Sequence, residues 1–416
     1  ARSVIGLCAS TSLSEQILFP KAPRITLLSP AVFVSSRLNM TADSSESVPV
    51  MPVTNDVAKE LCFPKVELHV HLDGAVRHKT LLQLALEKGL DLKGAKTVDD
   101  VRKIVTIHAP TTLSKMLVPF DIFLPLIAGD KDAIERIAYE LCEDQSKQGV
   151  IYFEARYSPH LLCNTVNNHN STLPGRVFKN KGLLYPRGVV EAVKRGFDHG
   201  EVTFGVKARS ILCCICGYPE WNDEVLEMAS TLTSEGVVGI DVAGCSRGAD
   251  EQYEPNILRV FQEAAKRGIH RTMHAGESGG AKEVVKAIED MKAERIGHGY
   301  RLLLDESAYQ KYAVQERVHL ETCPYSSVIT GSVPVDWPHH PIARLAADDA
   351  NFSINTDDPT CFENTIMTEY QLAYKQIGLT KLQLWKCSLN AALSSFAEED
   401  VKQKIVEKIT AAKPSD

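Results

Sequence analysis

With 416 residues, 44% of them hydrophobic and 24% charged, the chain can bury a large core, as one barrel or as two ordinary domains. A formal net charge of −7 excludes the clustered Lys and Arg that nucleic acid or an anionic membrane surface demands. No stretch approaches the roughly 18 consecutive apolar residues of a membrane span, so the expected partner is a small neutral molecule.

Residues 1–39 differ from the rest. Arg2, Lys21, Arg24 and Arg37 stand against one acid, Glu15, among many Ser residues and short apolar runs, a composition that suits an organellar transit segment. Met40, followed by a small and acidic run over 41–50, reads instead as a cytosolic start, with 1–39 an upstream or alternative extension. Residues 1–57 are expected to form a poorly ordered or peripheral extension, and 58–416 a single barrel domain. The expected compartment is the cytoplasm, with import or secretion through the extension as the alternatives. Eleven cysteines without paired spacing fit a reducing environment, and Cys213, Cys214 and Cys216 read as buried apolar side chains.

From Pro64 onward, β-branched runs alternate with helical patterns, as in repeated βα units around a parallel sheet. The predicted strands are Lys65–His71, Val150–Tyr157, Thr203–Leu212, Val237–Ala243, Ile269–His274, Arg295–His298, Val318–Cys323 and Asn351–Thr356. Amphipathic stretches separate them: Ala133–Lys147, Val189–His199, Asp223–Glu235, Asn256–Lys266 and Lys282–Lys292. Eight such units close most simply into an α/β fold of the (β/α)₈ TIM-barrel type. The first connection, 72–149, is far longer than an ordinary βα loop, and long loops at this end of barrel strands commonly build lids. Within it Leu113–Ile127 is apolar enough to lie over a pocket or to pack on the barrel exterior. Residues 363–412 predict two or three further helices that cap the barrel.

Four short elements carry chemistry, each at the carboxyl end of a predicted strand, the face where active sites of such barrels sit. In Glu67-Leu68-His69-Val70-His71-Leu72-Asp73-Gly74, side chains two apart on a strand share a face, so His69 and His71 present two imidazoles to one metal ion. In Thr272-Met273-His274-Ala275-Gly276-Glu277-Ser278 a third His precedes a carboxylate, opposite the first strand in a barrel. Arg295-Ile296-Gly297-His298-Gly299 sets a His between glycines that admit a close ligand. Asn355-Thr356-Asp357-Asp358-Pro359 ends the last strand with two acids that repel unless a cation or proton intervenes.

His69, His71, His274 and Asp357 together make a sound shell for one Zn²⁺ per chain, with bonds of about 2.0–2.2 Å. Such an ion lowers the pKa of a bound water towards about 7. Glu277 is then the natural acid for a ring nitrogen, His298 can orient and deprotonate the water, and Asp358 remains as a polar contact for the substrate.

The runs Glu-Leu-His-Val-His-Leu-Asp-Gly (67–74), Arg-Tyr-Ser-Pro-His-Leu (156–161), His-Ala-Gly-Glu (274–277), Gly-His-Gly-Tyr (297–300), Cys-Pro-Tyr-Ser-Ser (323–327) and Asn-Thr-Asp-Asp-Pro (355–359) closely resemble the adenosine deaminase family, over about residues 60–410. The resemblance implies zinc on His69, His71, His274 and Asp357, and hydrolytic deamination of adenosine and its 2′-deoxy analogue. It implies that the catalytic residues are Glu277, which protonates purine N1, His298, which assists the hydroxide, and Asp358, which bonds N7. It also implies substrate contacts from His71, from Asp73 to the ribose 5′-hydroxyl and from the Gly244 backbone to N3. One departure stands out: Cys245 and Ser246 follow Gly244 where the family usually has acidic residues, which puts the positioning of that loop in question.

A first rival is a barrel deaminase of adenine, guanine or a 6-substituted nucleotide, the last requiring Arg or Lys near Asp73 to hold phosphate. Arg77 and His78 leave that open. Deaminases of the His-x-Glu/Pro-Cys-x-x-Cys type are excluded, because His319-Leu320-Glu321 supplies the first half and no Pro-Cys-x-x-Cys follows. A catalytically dead barrel reused for binding or signalling would have lost a ligand or the proton donor, and neither is lost here.

Overall fold

The computed structural model describes residues 47–165, 182–244 and 253–415. Within them, eight strands follow one another in chain order, each parallel to its neighbours: β1 (Lys65–His71), β2 (Val150–Tyr157), β3 (Lys207–Ile215), β4 (Val237–Ala243), β5 (His270–Ala275), β6 (Arg295–His298), β7 (His319–Thr322) and β8 (Phe352–Ile354). β8 returns to β1 through a parallel bridge between Val70 and Asp357, with the His71 amide donating to Asp357 O at 2.9 Å and the Asp357 amide to His69 O at 3.0 Å. The expected (β/α)₈ barrel is therefore the fold.

β3 begins four residues later than its β-branched run Val202-Thr203 suggests. The preceding helix, Pro186–Phe204, continues through that run and stops at Gly205, whose φ of 72° ends it in the left-handed conformation. Packing overrides propensity here: Gly196 and Gly200 lie so close to helix Lys131–Lys147 that a Cβ on Gly196 would sit 2.3 Å from Glu135 O. β7 and β8 are shorter than expected because Cys323 and Asn355–Asp357 leave the ladder and turn into the mouth of the barrel.

The long first connection folds into helices His78–Glu87, Val98–Val105, Leu113–Met116 and Val118–Phe123, followed by Lys131–Lys147. Its segment 107–111 is bonded to the loops after β7 and β8, Ile107 N to Cys361 O at 2.9 Å and Thr111 N to Ile329 O at 2.7 Å. In the Leu113–Ile127 stretch Met116, Phe123, Leu126 and Ile127 are buried in the common core while Val118 is exposed, so this lid-like insertion is itself anchored by packing. Residues 47–57, placed with the extension on sequence grounds, lie against the barrel: Val48 N donates to His108 O, Gln371 Nε2 to Pro52 O, and Val57 is buried. The later helices are Ile366–Leu372, Lys381–Ser394 and Glu399–Ala411. Lys381–Ser394 packs against β1 and β8 from outside, and just beyond it the Phe396 amide reaches Glu154 Oε1 at 2.5 Å. No described helix is long and apolar enough to cross a membrane.

The barrel interior is ionic rather than purely apolar. Arg156 contacts Asp241 at 2.9 Å and Glu321 at 2.6 Å, while Arg295 contacts Glu321 at 2.7 Å and Glu154 at 2.6 Å, all of them buried. Burial alone would raise the Glu321 carboxyl, but Arg156 and Arg295 hold it well below the usual carboxylate range. Such a network is costly to break because the surviving partners stay charged and out of water. We expect Arg295→Ala to lower stability by about 3–5 kcal/mol, measured by urea unfolding, whereas breaking an exposed pair such as Lys404–Asp400 should leave the unfolding midpoint nearly unchanged.

Candidate active site

The expected ligand residues meet at the carboxyl mouth of the barrel. The Nε2 atoms of His71 and His274 are 3.2 Å apart, and Asp357 Oδ1 lies 3.4 Å from His69 Nε2 and 3.3 Å from His71 Nε2. One ligand atom from each of the four residues falls within 4.8 Å of every other. β1 carries an extra residue relative to β2 between Glu67 and Val70, a bulge that interrupts strict alternation. It leaves His69 facing Glu321 of β7 while Glu67 reaches β8. Gly297 of β6 makes room for His69: a Cβ there would stand 2.7 Å from His69 Cε1.

Two of the imidazoles are held from behind by carboxylates. His69 Nδ1 is 2.8 Å from Glu321 Oε2, and His274 Nδ1 is 2.9 Å from Asp241 Oδ2. Those contacts orient both rings so that their Nε2 atoms face the shared centre. Burial would lower His274, but the Asp241 carboxylate beside it raises its pKa to about 9. Burial holds His71 well below the ordinary imidazole pKa and keeps it neutral. Burial would raise Asp357, but the surrounding His69, His298 and His71 rings keep its carboxylate ionised, and Ser326 Oγ donates to its second oxygen at 2.7 Å. The donor set fits a divalent metal ion. His69 Nε2 is buried without a hydrogen-bond partner among the described residues, and three of the separations, at 3.2–3.4 Å, match edges of a tetrahedron whose bonds are about 2.0–2.1 Å.

His298 stands beside this cluster, its Nε2 3.5 Å from Glu277 Oε2 and 3.9 Å from Asp357 Oδ2. Burial depresses its pKa well below the ordinary value, and neither ring nitrogen has a hydrogen-bond partner among the described residues. His298 and Asp357 have φ of 63° and 68°, left-handed conformations uncommon for residues with a Cβ and concentrated at functional sites. Glu277 is buried on the β5 loop, its carbonyl accepting from Ser332 Oγ at 2.7 Å.

Asp358 is buried against Gly74, where a Cβ would fall 1.8 Å from Asp358 Oδ1. Burial first, and then the negative charge of Asp357, Asp73 and Glu277, pushes its pKa well above the carboxylate range, and Oδ1 has no hydrogen-bond partner among the described residues. Asp73 is raised by burial to about 7, with the Ser158 amide donating to it. Gly244 ends β4 at φ 84°, beside Ile215 of β3. Cys245 and Ser246 lie outside the described residues, as do the first 46.

The sequence assigns no role to the groups behind the ligands: Glu321 stands there only as half of an unrelated motif, Asp241 only within the predicted strand Val237–Ala243, and Ser326 only within the Cys-Pro-Tyr-Ser-Ser run. A signal existed for the two acids, since a carboxylate inside a β-branched strand must find a partner when buried.

Three comparisons place this geometry among known proteins. The family model described as adenosine deaminase matches residues 64–412. Adenosine deaminase of Danio rerio is 43% identical over 83% of this chain and 94% of its own length, and that of Rattus norvegicus 42% identical over 83% and 96%. Among solved structures, the N6-methyl-AMP deaminase of Arabidopsis thaliana superposes with a TM-score of 0.69 at 28% identity, covering 86% of this chain and 99% of that one. For the site itself, Gly74→Ala forces the Asp358 carboxylate to move. We expect it to lower kcat/KM for the substrate by about 10²-fold, the usual cost of a 1 Å misplacement, with the melting temperature little changed.

Proposed function

This chain belongs to the adenosine deaminase family, and from that premise we propose that it hydrolyses the 6-amino group of adenosine, and of 2′-deoxyadenosine, to release ammonia and inosine or deoxyinosine. The observation that carries the reading is the convergence of His69, His71, His274 and Asp357 on one buried point. Those four residues would hold a single zinc ion, which when bound supplies a hydroxide-like nucleophile from water at neutral pH.

The remaining residues have roles set by protonation. His298, neutral because it is buried, accepts a proton from the attacking water on the side shared with Glu277 and Asp357. Glu277 delivers a proton to purine N1, which makes the ring carbon electrophilic. Purine N7 can only accept a hydrogen bond, so its partner must donate. Asp358, kept protonated by burial and neighbouring acids, is such a donor. Asp73 takes the ribose 5′-hydroxyl, the Gly244 backbone takes N3, and His71 adds a contact on the ligand side.

Nucleoside is favoured over nucleotide by the state of the nearby cations. Arg77 is engaged by Glu143 at 2.7 Å and Asp144 at 2.6 Å, and His78 Nε2 lies 2.8 Å from Thr360 O. Arg156 is paired with Asp241 and Glu321 inside the barrel. Among the described residues, a phosphate beside Asp73 would meet a buried acid instead of a free guanidinium.

The test is the ultraviolet shift of the purine on adding adenosine, with AMP and adenine in parallel. Turnover of adenosine with little of AMP is expected, and turnover of AMP alone would promote the nucleotide reading. Glu277→Gln should keep its metal yet lose about 10²–10⁴ in kcat, because only the proton donor is removed. Dialysis against a chelator should abolish activity and stoichiometric Zn²⁺ should restore it, as followed by the same assay with metal analysis.

A further inference from the structure

Every neighbouring pair of strands from β1 to β8 shares two or more register positions, but between β8 and β1 the ladder is reduced to the single Val70–Asp357 bridge. Side chains replace the missing backbone bonds. Asn355 Oδ1 accepts from the Leu68 amide at 2.8 Å and the His69 amide at 3.2 Å, and its Nδ2 donates to Thr322 O at 3.0 Å. Glu67 Oε1 accepts from the Thr356 amide at 2.7 Å and the Thr356 hydroxyl at 2.6 Å, while Oε2 accepts from Gln145 Nε2. The Thr356 carbonyl is held in turn by Asn364 Nδ2 at 2.9 Å.

Thr356 immediately precedes Asp357, whose left-handed backbone makes the direction of its carboxylate depend on the peptide before it. We propose that Glu67 is a positioning residue for the metal centre. By gripping the amide and hydroxyl of Thr356 across the β8–β1 seam, it aims the Asp357 carboxylate at His69 and His71. Glu67 acts through Thr356 rather than on the substrate, and the inference rests on the metal-binding reading given above. Two acceptor sites on one oxygen are what the two Thr356 donors require. A glutamine keeps that oxygen, and Gln145 can turn its amide to face it.

The decisive experiment measures the rate at which a chromogenic chelator strips zinc from the folded holoenzyme, with the melting temperature recorded beside it. Glu67→Ala should lose zinc about 10- to 100-fold faster or bind it that much more weakly. Glu67→Gln should stay close to wild type, and reloaded Glu67→Ala should keep the wild-type KM for adenosine. A lower melting temperature with wild-type zinc release in Glu67→Ala would make Glu67 merely structural and overturn the proposal. Equal zinc loss in the alanine and glutamine variants would overturn it too. If Glu67→Ala fails to fold, Thr356→Val decides: it removes one hydrogen bond of the grip and should speed zinc release about 2- to 10-fold, and an unchanged rate would refute the idea. A wild-type protein that carries no metal would overturn the underlying metal reading instead, which separates the two failures.

Discussion

Three imidazoles and a carboxylate whose ligand atoms all lie within 4.8 Å of one another, largely withdrawn from water, form the constraint on which the rest of this structure depends. Buried imidazole nitrogens aimed at a common point gain little from each other, and the buried acid beside them is costly unless a cation is shared. The barrel answers by fixing each group from behind. Glu321 and Asp241 take the outer nitrogens of His69 and His274, Ser326 takes the second oxygen of Asp357, and Arg156 and Arg295 compensate the buried acids. The ionic interior thus serves the centre at the mouth more than it serves stability.

A second consequence concerns the two adjacent acids of β8. Asp357 and Asp358 follow one another in the chain yet are driven in opposite directions, the first held ionised by imidazoles and the second kept protonated by burial and neighbouring negative charge. One turn of backbone therefore holds both a carboxylate suited to a cation and a protonated acid able to donate a hydrogen bond. The same economy appears at Gly74 and Gly297, where absent side chains admit Asp358 and His69.

Much of this was legible in the sequence. Strands β1, β2, β4 and β6 each carry Val or Ile, and their ends match expectation to the residue. The His-x-His, His-Ala-Gly-Glu and Asp-Asp elements fell where predicted because chemistry in this fold gathers at strand ends. What escaped was long-range. The helix before β3 runs through a β-favouring stretch because two glycines let it press on its neighbour, a fact of packing that local propensity does not carry. The bulge in β1 separates Glu67 from His69 in what they reach, whereas simple alternation would have aligned them. The partners of His69 and His274 come from β7 and β4, far away in the chain, and their role follows only once the barrel closes.

The account stands or falls on what occupies the point between those four side chains. Anomalous diffraction at the zinc edge, from crystals of protein purified in active form, would test it most directly. A single strong peak bounded by His69, His71, His274 and Asp357 is the predicted result. A fully active preparation whose crystals show no peak there, or show it bound elsewhere on the chain, would contradict it.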